Sequence, residues 1–427
     1  MNFTQMSKSE LLTEKKAAET EYAAICEKHL ALDMSRGKPE KRQLELSEQM
    51  LTTVSHNEDC YADNGTDCRN YGLVDGIEDA KKLFADILSV RPENVIVGGN
   101  SSLNLMYDAV VRCLLYGVNG GNGPWVRNKV NKFLCPVPGY DRHFGICESL
   151  GIEMINIPMT ESGPDMDEVE KWVKDPDVRG IWCVPKYSNP DGVTYSDETV
   201  RRFAALTPAS KDFRIFWDNA YCIHDLYDEG DSILNIIEEC EKAGHPNLPY
   251  VFMSTSKITY PGSGVSVMAS SESNIKHIKN VMAYQTIGHD KMNMLRHVRY
   301  FKDADGMRRY MKKHADILRP KFETVLSVLN EQLKDTGIAS WTNPRGGYFI
   351  SLNTLPGCAA RTVALCADAG VKLTGAGATF PYRKDPEDRN IRIAPSFPSL
   401  EELHEAIGVL CVCIKLASVE KLLNETK

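Results

Sequence analysis

The 427-residue chain has a formal net charge of −8, with 42% hydrophobic and 25% charged residues. These values indicate a globular protein of two or three domains and argue against a nucleic-acid-binding surface, which is usually basic. No apolar run is long enough to span a bilayer, and the first residues lack a secretory signal. The 13 cysteines include no C-x-x-C pair, so we expect reduced thiols and a cytoplasmic location.

The N-terminal residues Ser7-Lys8-Ser9-Glu10 form a capping box, which predicts a long helix to about Leu30. The segment 33–47 contains Gly37 and Pro39 and is predicted to be a loop that leads back into a helix. From residue 94, strand-like apolar runs alternate with helical patterns: NVIVGG (94–99), KFLCPVPGY (132–140), GIEMINIPM (151–159), RGIWCVPKYSNPDG (179–192), FRIFWDNAY (213–221) and PYVFM (249–253). This alternation predicts βαβ units and a mostly parallel sheet.

The pattern changes after about residue 305. We predict a long helix over 306–333, a strand over 341–352, a helix near 359–370, a strand over 390–397 and a final helix from Ser399. The apolar segment 407–419 is interrupted by Lys415 and is predicted to be a buried helix. We therefore expect an α/β protein with a large domain over 50–310 and a small domain formed by 1–49 and 311–427.

Polar segments follow the ends of successive predicted strands: GGNSS (98–102), PGYDRH (138–143), YSNPDG (187–192), DNAY (218–221) and STSK (254–257). Ligands of open parallel sheets bind beyond the carboxyl ends of the strands. We therefore expect these five segments to converge on one site.

Lys257 follows the strand PYVFM and precedes a loop containing Pro261 and Gly262. Most lysines are solvated surface groups. The alternative is an amine in a pocket, where desolvation lowers the pKa and the amine can form a Schiff base with a carbonyl. A cofactor that presents an aldehyde and acts as an electron sink is pyridoxal 5′-phosphate. It requires the lysine, an acid at its pyridinium nitrogen, a phosphate cradle, and groups for its ring face and phenolic oxygen.

Each requirement has a candidate. Asp218 follows a strand and is the candidate partner of the pyridinium nitrogen, and His143 could hydrogen-bond its carboxylate. A glycine pair opens a helix directly after a strand, and helix N-termini favour phosphate. The cradle candidates are Gly99, Asn100, Ser101, Ser254 and Ser256.

The ring and the substrate have candidates as well. Asn189 and Tyr221 could donate to the phenolic oxygen, and Tyr140 is placed to stack on the ring. Arg392 lies between Ile391 and Ile393 on a strand and could clamp a substrate carboxylate. Each of these residues, taken alone, is explained equally well as a turn, loop or surface residue.

The motifs STSK (254–257), DNAY (218–221), NPDG (189–192) and NIRI (390–393) resemble those of the class I aminotransferases of fold type I. The similarity extends from Gly37 to Arg392 in the same order. The segments DMSRGKPE, PGYDRHF and STSKITYPGSGVS are most similar to the aspartate aminotransferase subgroup Ic, which is related to the aminotransferase domains of MocR-type regulators. The resemblance implies a mostly parallel seven-stranded sheet sandwiched by helices, and a smaller C-terminal α/β domain.

The resemblance also implies roles at matching positions. Lys257 would be the Schiff-base lysine and proton shuttle, with Asp218 and Tyr140 as the other catalytic residues. Arg392 would clamp the α-carboxylate, and Gly37 would belong to a loop that closes over substrate, with Asn189 also near the substrate.

A homodimer with sites at the subunit interface is implied too. In it, Tyr71 would reach the phosphate bound by the neighbouring subunit.

One motif departs from the family pattern. An arginine that binds the phosphate usually follows the lysine in a P-G-x-R-x-G pattern, whereas this chain has PGSGVS. The cradle would then rely on N–H and hydroxyl groups or on another cation. For the second carboxylate of a dicarboxylate substrate, Arg142 is the first candidate, followed by Arg36 and Lys38 and then by Arg69.

We therefore expect a PLP-dependent aspartate aminotransferase with amino acid and 2-oxo acid substrates, and no metal, nucleic-acid or membrane partner. It would exchange the amino group between aspartate or glutamate and 2-oxoglutarate or oxaloacetate by a ping-pong mechanism. The alternatives are an aminotransferase for aromatic or kynurenine-type substrates and an aspartate β-decarboxylase. A ligand-sensing regulatory module is a third hypothesis, which the negative charge and the absence of a preceding DNA-binding domain disfavour.

Overall fold

The computed structural model describes residues 2–425 of the chain. Its helices are α1 (Lys8–Cys26), α2 (Lys41–Glu45), α3 (Glu78–Leu88), α4 (Ser102–Tyr116), α5 (Asp141–Ser149), α6 (Met166–Trp172), α7 (Asp197–Ala204), α8 (Ile236–Lys242), α9 (Glu272–Met282), α10 (Lys291–Phe301), α11 (Ala304–Leu333), α12 (Ala359–Asp368) and α13 (Leu400–Glu425). Its strands are β1 (Leu32–Asp33), β2 (Val95–Val97), β3 (Lys132–Val137), β4 (Glu153–Thr160), β5 (Gly163–Pro164), β6 (Val178–Cys183), β7 (Arg214–Asp218), β8 (Pro249–Ser254), β9 (Ser266–Ala269), β10 (Ala339–Trp341), β11 (Ile350–Thr354), β12 (Val371–Lys372) and β13 (Asn390–Ile393).

The large sheet has the strand order β2-β9-β8-β7-β6-β3-β4-β5. Its central strands, from β8 through β4, pair in parallel, whereas β9 is antiparallel to both of its neighbours. Residues of β6, β7 and β8 are buried throughout because helices cover both faces. The predicted α/β fold with a mostly parallel sheet is confirmed. Eight strands are described instead of seven, since the two-residue strand β5 adds an antiparallel edge to β4.

Two apolar clusters pack on opposite faces of this sheet. Neighbouring residues of one strand point to opposite faces, so Ile181 and Trp217 belong to one cluster, and Trp182 and Phe216 belong to the other. The central strands are therefore packed against buried apolar side chains on both faces of the sheet.

A third apolar cluster includes residues of α1, α11, α12 and α13 and of a three-stranded antiparallel sheet in the order β10-β11-β13. Helix α13 contacts α1, α11 and α12, and its segment 407–419 is almost entirely buried, as predicted. None of the helices within residues 2–425 is both long enough and apolar enough to cross a membrane. The domain boundaries at residues 49–50 and 310–311 stay a prediction.

Two predicted elements differ from the structure. Helix α1 ends at Cys26 rather than near Leu30, and His29 soon afterwards adopts a left-handed conformation with φ of 50°. The single strand predicted over 341–352 is two strands, because β10 ends at Trp341 and β11 begins only at Ile350. The connection contains Gly346, where an added Cβ would lie 2.2 Å from the Tyr187 ring, so only glycine fits there.

Candidate active site

Lys257 lies three residues beyond the end of β8, in a turn in which the backbone N–H groups of Ile258 and Thr259 both donate to the Thr255 carbonyl at 2.9 Å. Its Nζ lies 5.5 Å from the centroids of the Tyr221 and Tyr348 rings. Desolvation lowers the pKa of this amine, Asp218 opposes that shift, and Arg392 adds to it. The lysine therefore has the environment of a nucleophilic amine and not of a solvated surface group.

A cavity of about 130 Å³ opens at the carboxyl ends of the strands, beside Lys257. The five polar segments converge there, as the strand-end rule predicts. The predicted site residues that line it are Ser101, Tyr140, Asn189, Asp218, Tyr221, Ser254, Ser256 and Lys257.

Asp218 is the last residue of β7 and is 3% exposed. Its Oδ2 lies 3.0 Å from Nε2 of His143, the contact that the sequence suggested. Its Oδ1 has no hydrogen-bond partner within the described part of the chain, although it is buried. A buried carboxylate oxygen without a partner is costly, so this atom is suited to accept a proton donor of a bound group.

Four serines also line this cavity: Ser101, Ser102, Ser254 and Ser256. Ser101 caps α4 by accepting from the Leu103 N–H, and Ser102 Oγ donates to Ser254 Oγ at 3.4 Å. Ser254 Oγ donates to Ser256 Oγ at 3.1 Å, so the hydroxyls form a continuous chain. By rotating away from their present acceptors, these hydroxyls could join the helix N-terminus in donating to a phosphate.

Gly264 stands where the family pattern has an arginine. A Cβ at this position would lie 3.1 Å from the Asn100 carbonyl oxygen and from Thr255 Oγ1, so a larger residue would require these neighbours to shift by a few tenths of an ångström. Lys257 is the one cation among the cavity-lining residues of the described chain. The groups that these residues could offer to a phosphate are therefore hydroxyl and N–H groups and the amine of Lys257.

A second cavity, of about 420 Å³, lies next to the first and shares Tyr140, Asn189 and Lys257 with it. Arg392 lines this cavity from β13 and is 7% exposed. Its Nη1 donates to Asp141 Oδ1 at 2.9 Å and to Asn189 Oδ1 at 3.2 Å, while its buried Nε has no partner within residues 2–425.

The second cavity is strongly basic. Six basic side chains and one acidic side chain line it: Arg36, Lys38, Arg142, Lys257, Lys372, Arg392 and Asp141. Gly37 lies on its wall, where an added Cβ would be 2.6 Å from Cζ of Phe349. The predicted substrate-site residues Gly37, Asn189, Arg392, Arg142 and Arg36 thus meet in one place.

Five predicted residues line neither cavity: Gly99, Asn100, His143, Tyr71 and Arg69. Gly99 and Asn100 precede the cavity-lining serines, and Asn100 accepts from Ser256 Oγ through its backbone carbonyl. Tyr71 is 85% exposed. Arg69 pairs with Asp67 at 2.7 Å, and its role toward a substrate carboxylate stays a prediction.

Sequence reasoning missed several residues that line the site. Ser102 and Thr374 were not singled out, and Phe349 supports both Gly37 and Arg392, whose guanidinium lies 4.8 Å from the ring centroid. The only available signal for Phe349 was its position after the Gly346-Gly347 pair.

Comparisons with known proteins identify the family of the chain. A family model described as aspartate amino-transferase matches residues 6–426. The chain is 48% identical over 427 residues to a putative aminotransferase of Mycolicibacterium smegmatis, covering all of both chains. It is 47% identical over 397 residues to an aspartate aminotransferase of Corynebacterium glutamicum, covering 93% of this chain and 92% of the other.

Solved structures agree as well. The crystal structure of an aspartate transaminase from Corynebacterium glutamicum superposes with a TM-score of 0.97 at 44% identity, covering 99% of each chain. An α-aminoadipate aminotransferase of Thermus thermophilus, solved with N-(5′-phosphopyridoxyl)-L-leucine, shares the fold with a TM-score of 0.74 at 18% identity, covering 98% of this chain and 97% of the other. The chain therefore belongs to the aspartate aminotransferase family.

Proposed function

We propose that this aminotransferase uses pyridoxal 5′-phosphate to exchange the amino group between aspartate or glutamate and the 2-oxo acids oxaloacetate and 2-oxoglutarate. One observation carries the proposal: a half-buried lysine whose pKa is lowered by desolvation faces the same cavity as a buried carboxylate oxygen that has no partner within residues 2–425. Such a pair suits a ligand that has both an electrophilic carbon and a ring N–H.

The residues of the first cavity fit this cofactor. Asp218 Oδ1 would accept from its ring nitrogen, and the serine hydroxyls with the N-terminus of α4 would hold its phosphate. Tyr140 would cover the ring face, and Asn189 and Tyr221 would face the phenolic oxygen. When bound, pyridoxal phosphate supplies an aldehyde carbon and a ring that withdraws electrons from the substrate Cα.

Lys257 would act as nucleophile and then move the proton at the substrate Cα. Its lowered pKa favours the neutral amine, which is the form that can attack a carbonyl or accept a proton. Burial raises the pKa of Tyr221 far above its ordinary value and keeps this neighbouring phenol neutral. The site therefore leaves the lysine as its proton-transfer group.

The charge of the second cavity supports a dicarboxylate substrate. Arg392 would bind the α-carboxylate, because its Nε is buried and free of protein partners in the described chain. Arg142, Arg36 and Lys38 line the same cavity and belong to no ion pair described within residues 2–425. A surplus of cations favours a second carboxylate over the uncharged side chain of an aromatic amino acid.

A homodimer is part of the proposal. Tyr71, Leu73, Tyr284 and Ile287 are 85%, 41%, 87% and 64% exposed. The loop of Tyr71 and Leu73 lies close to the loop of Tyr284 and Ile287. Lys291, the first residue of α10 directly after the second loop, donates through Nζ to the Gly72 carbonyl of the first loop at 3.0 Å. Exposed apolar residues that lie together support a protein interface at this surface, and we propose that a second copy binds there and brings Tyr71 to the neighbouring cradle. The cytoplasmic location and the two-domain division remain predictions from the sequence.

The experiment is a visible absorption spectrum of the protein loaded with pyridoxal phosphate. We expect a yellow band that bleaches when aspartate is added and returns with 2-oxoglutarate. Product analysis identifies the reaction, because transamination of aspartate gives oxaloacetate and β-decarboxylation gives alanine. The absence of a band after incubation with the cofactor would refute the proposal.

A further inference from the structure

We propose that Trp182 is a positioning residue that fixes the imidazole of His143 and, through it, the carboxylate of Asp218. The inference rests on the proposed function, because it concerns the group that would face the cofactor ring. Trp182 is not among the residues that line either cavity. It must therefore act through its neighbours.

Two side chains of helix α5, His143 and Cys147, contact Trp182 of strand β6. His143 and Cys147 are four residues apart on α5, so their side chains lie on one face, one turn apart. The His143 ring stacks on the Trp182 ring with a centroid distance of 4.4 Å and an interplanar angle of 10°. The indole Nε1–H donates to Cys147 Sγ at 3.2 Å. Helix α5 therefore contacts the indole in two ways, by ring stacking and by a hydrogen bond from the indole N–H.

The indole has little freedom to move. Trp182 is 2% exposed, and its ring packs at tilted angles against Phe216 and Phe133, with centroid distances of 4.8 and 5.6 Å. The Tyr140 ring contacts His143 edge-on at 4.9 Å. A rotation of the imidazole out of its plane would therefore have to displace packed aromatic rings.

The orientation of the imidazole matters because it decides which oxygen of Asp218 is free. His143 Nε2 engages Oδ2, and Oδ1 is left without a partner in the described chain, at the edge of the first cavity. If the imidazole tilted away, the carboxylate would lose the contact that fixes its rotation. The cofactor ring would then meet a carboxylate that is not pre-oriented.

The test compares Trp182→Leu with Trp217→Leu in the loaded enzyme. Trp217 is a matched control, because it is also 2% exposed, lies on the adjacent strand β7 and packs on the opposite face against Tyr195 and Phe203. We expect both variants to lose thermal stability. Only Trp182→Leu should raise the dissociation constant of pyridoxal phosphate, by about tenfold, and shift the position of the visible band. Its kcat should fall while the KM for aspartate stays within twofold.

A planar side chain should rescue the variant, so Trp182→Phe is expected to bind the cofactor within threefold of the unmodified protein. Equal dissociation constants and spectra for Trp182→Leu and Trp217→Leu would overturn the inference. If Trp182→Leu does not fold, Cys147→Ala replaces it: this change removes the acceptor of the indole N–H and should weaken cofactor binding two- to fivefold. An unchanged constant in that variant would also overturn the inference. Failure of the unmodified protein to bind pyridoxal phosphate would instead refute the proposed function.

Discussion

Buried neutral histidines should make the protein sensitive to mild acid, and His297 allows the effect to be worked out. Its Nδ1 contacts the Asn293 carbonyl at 2.8 Å, so it carries the proton, and its Nε2 accepts from the hydroxyls of Thr259 and Thr255 at 2.9 and 3.2 Å. All of its hydrogen-bonding capacity is thus used by the neutral form. Burial lowers the pKa of His297 from 6.5 to about 4.

The sign follows from proton binding. Between pH 6.5 and 4 the unfolded chain binds a proton at this histidine and the folded chain does not, so stability is complete above pH 6.5 and decreases as the pH falls toward 4. A shift of one pKa unit corresponds to about 1.36 kcal/mol. Between pH 7.5 and 5, His297 should therefore contribute a loss of about 2 kcal/mol in the free energy of unfolding.

The assay is urea-induced unfolding at pH 7.5 and pH 5, followed by tryptophan fluorescence. His297→Gln removes the titrating group, so its decrease between the two pH values should be smaller by about 2 kcal/mol. His404→Gln, at an exposed position of α13, is the control and should behave like the unmodified protein. Equal decreases for His297→Gln and the unmodified protein would refute the reasoning.

Three further predictions concern the site. Arg392→Lys keeps the charge but loses a charge-assisted hydrogen bond worth about 1.5–3 kcal/mol, so kcat/KM for aspartate should fall about 10- to 150-fold. The control is Arg389→Lys, which changes an arginine in an exposed ion pair with Glu387 and should leave kcat/KM unchanged. Arg142→Ala should raise the KM for aspartate more than that for an aromatic amino acid, and equal effects in steady-state assays would exclude Arg142 as the second carboxylate ligand. Ser254→Ala interrupts the hydroxyl chain. Because one hydrogen bond to the phosphate would be lost, the dissociation constant of the cofactor, measured by equilibrium dialysis, should rise about 5- to 20-fold. An unchanged constant would show that the phosphate is held elsewhere.

The inner half of the site could be predicted because one geometric rule governs it. The segments containing Asn189, Asp218 and Lys257 each follow a strand, and parallel strands direct their carboxyl ends to the same edge. The residue types and their positions at the strand ends were therefore sufficient to predict that these three segments lie close together. The antiparallel strand β9 was missed, since its four residues directly follow a turn-rich loop.

The outer half could not be predicted from such a rule. Arg392 and its partner Asp141 are 251 positions apart, and Phe349 approaches from a separate antiparallel sheet. Gly37 is brought to the cavity by the pairing of β1 with β12, in which only two residues of each strand take part. Strands this short carry no periodicity, so the sequence could name Gly37 only through a family resemblance. Arg392 could be named from its place between two isoleucines on a predicted strand, but its distance from the other site residues along the chain left its partners unknown.

The two cavities differ in charge, and Asn189 connects them. The inner cavity has one lysine, one carboxylate and several hydroxyls, which suits a ligand with both a cationic ring and an anionic phosphate. The outer cavity has a large excess of cations, which suits a dianion. Because Asn189 Oδ1 accepts from Arg392, the N–H groups of the same amide are left to donate toward the inner cavity. Arg392 therefore sets the direction in which Asn189 presents its donors, and we predict that loss of the guanidinium would disturb both cavities.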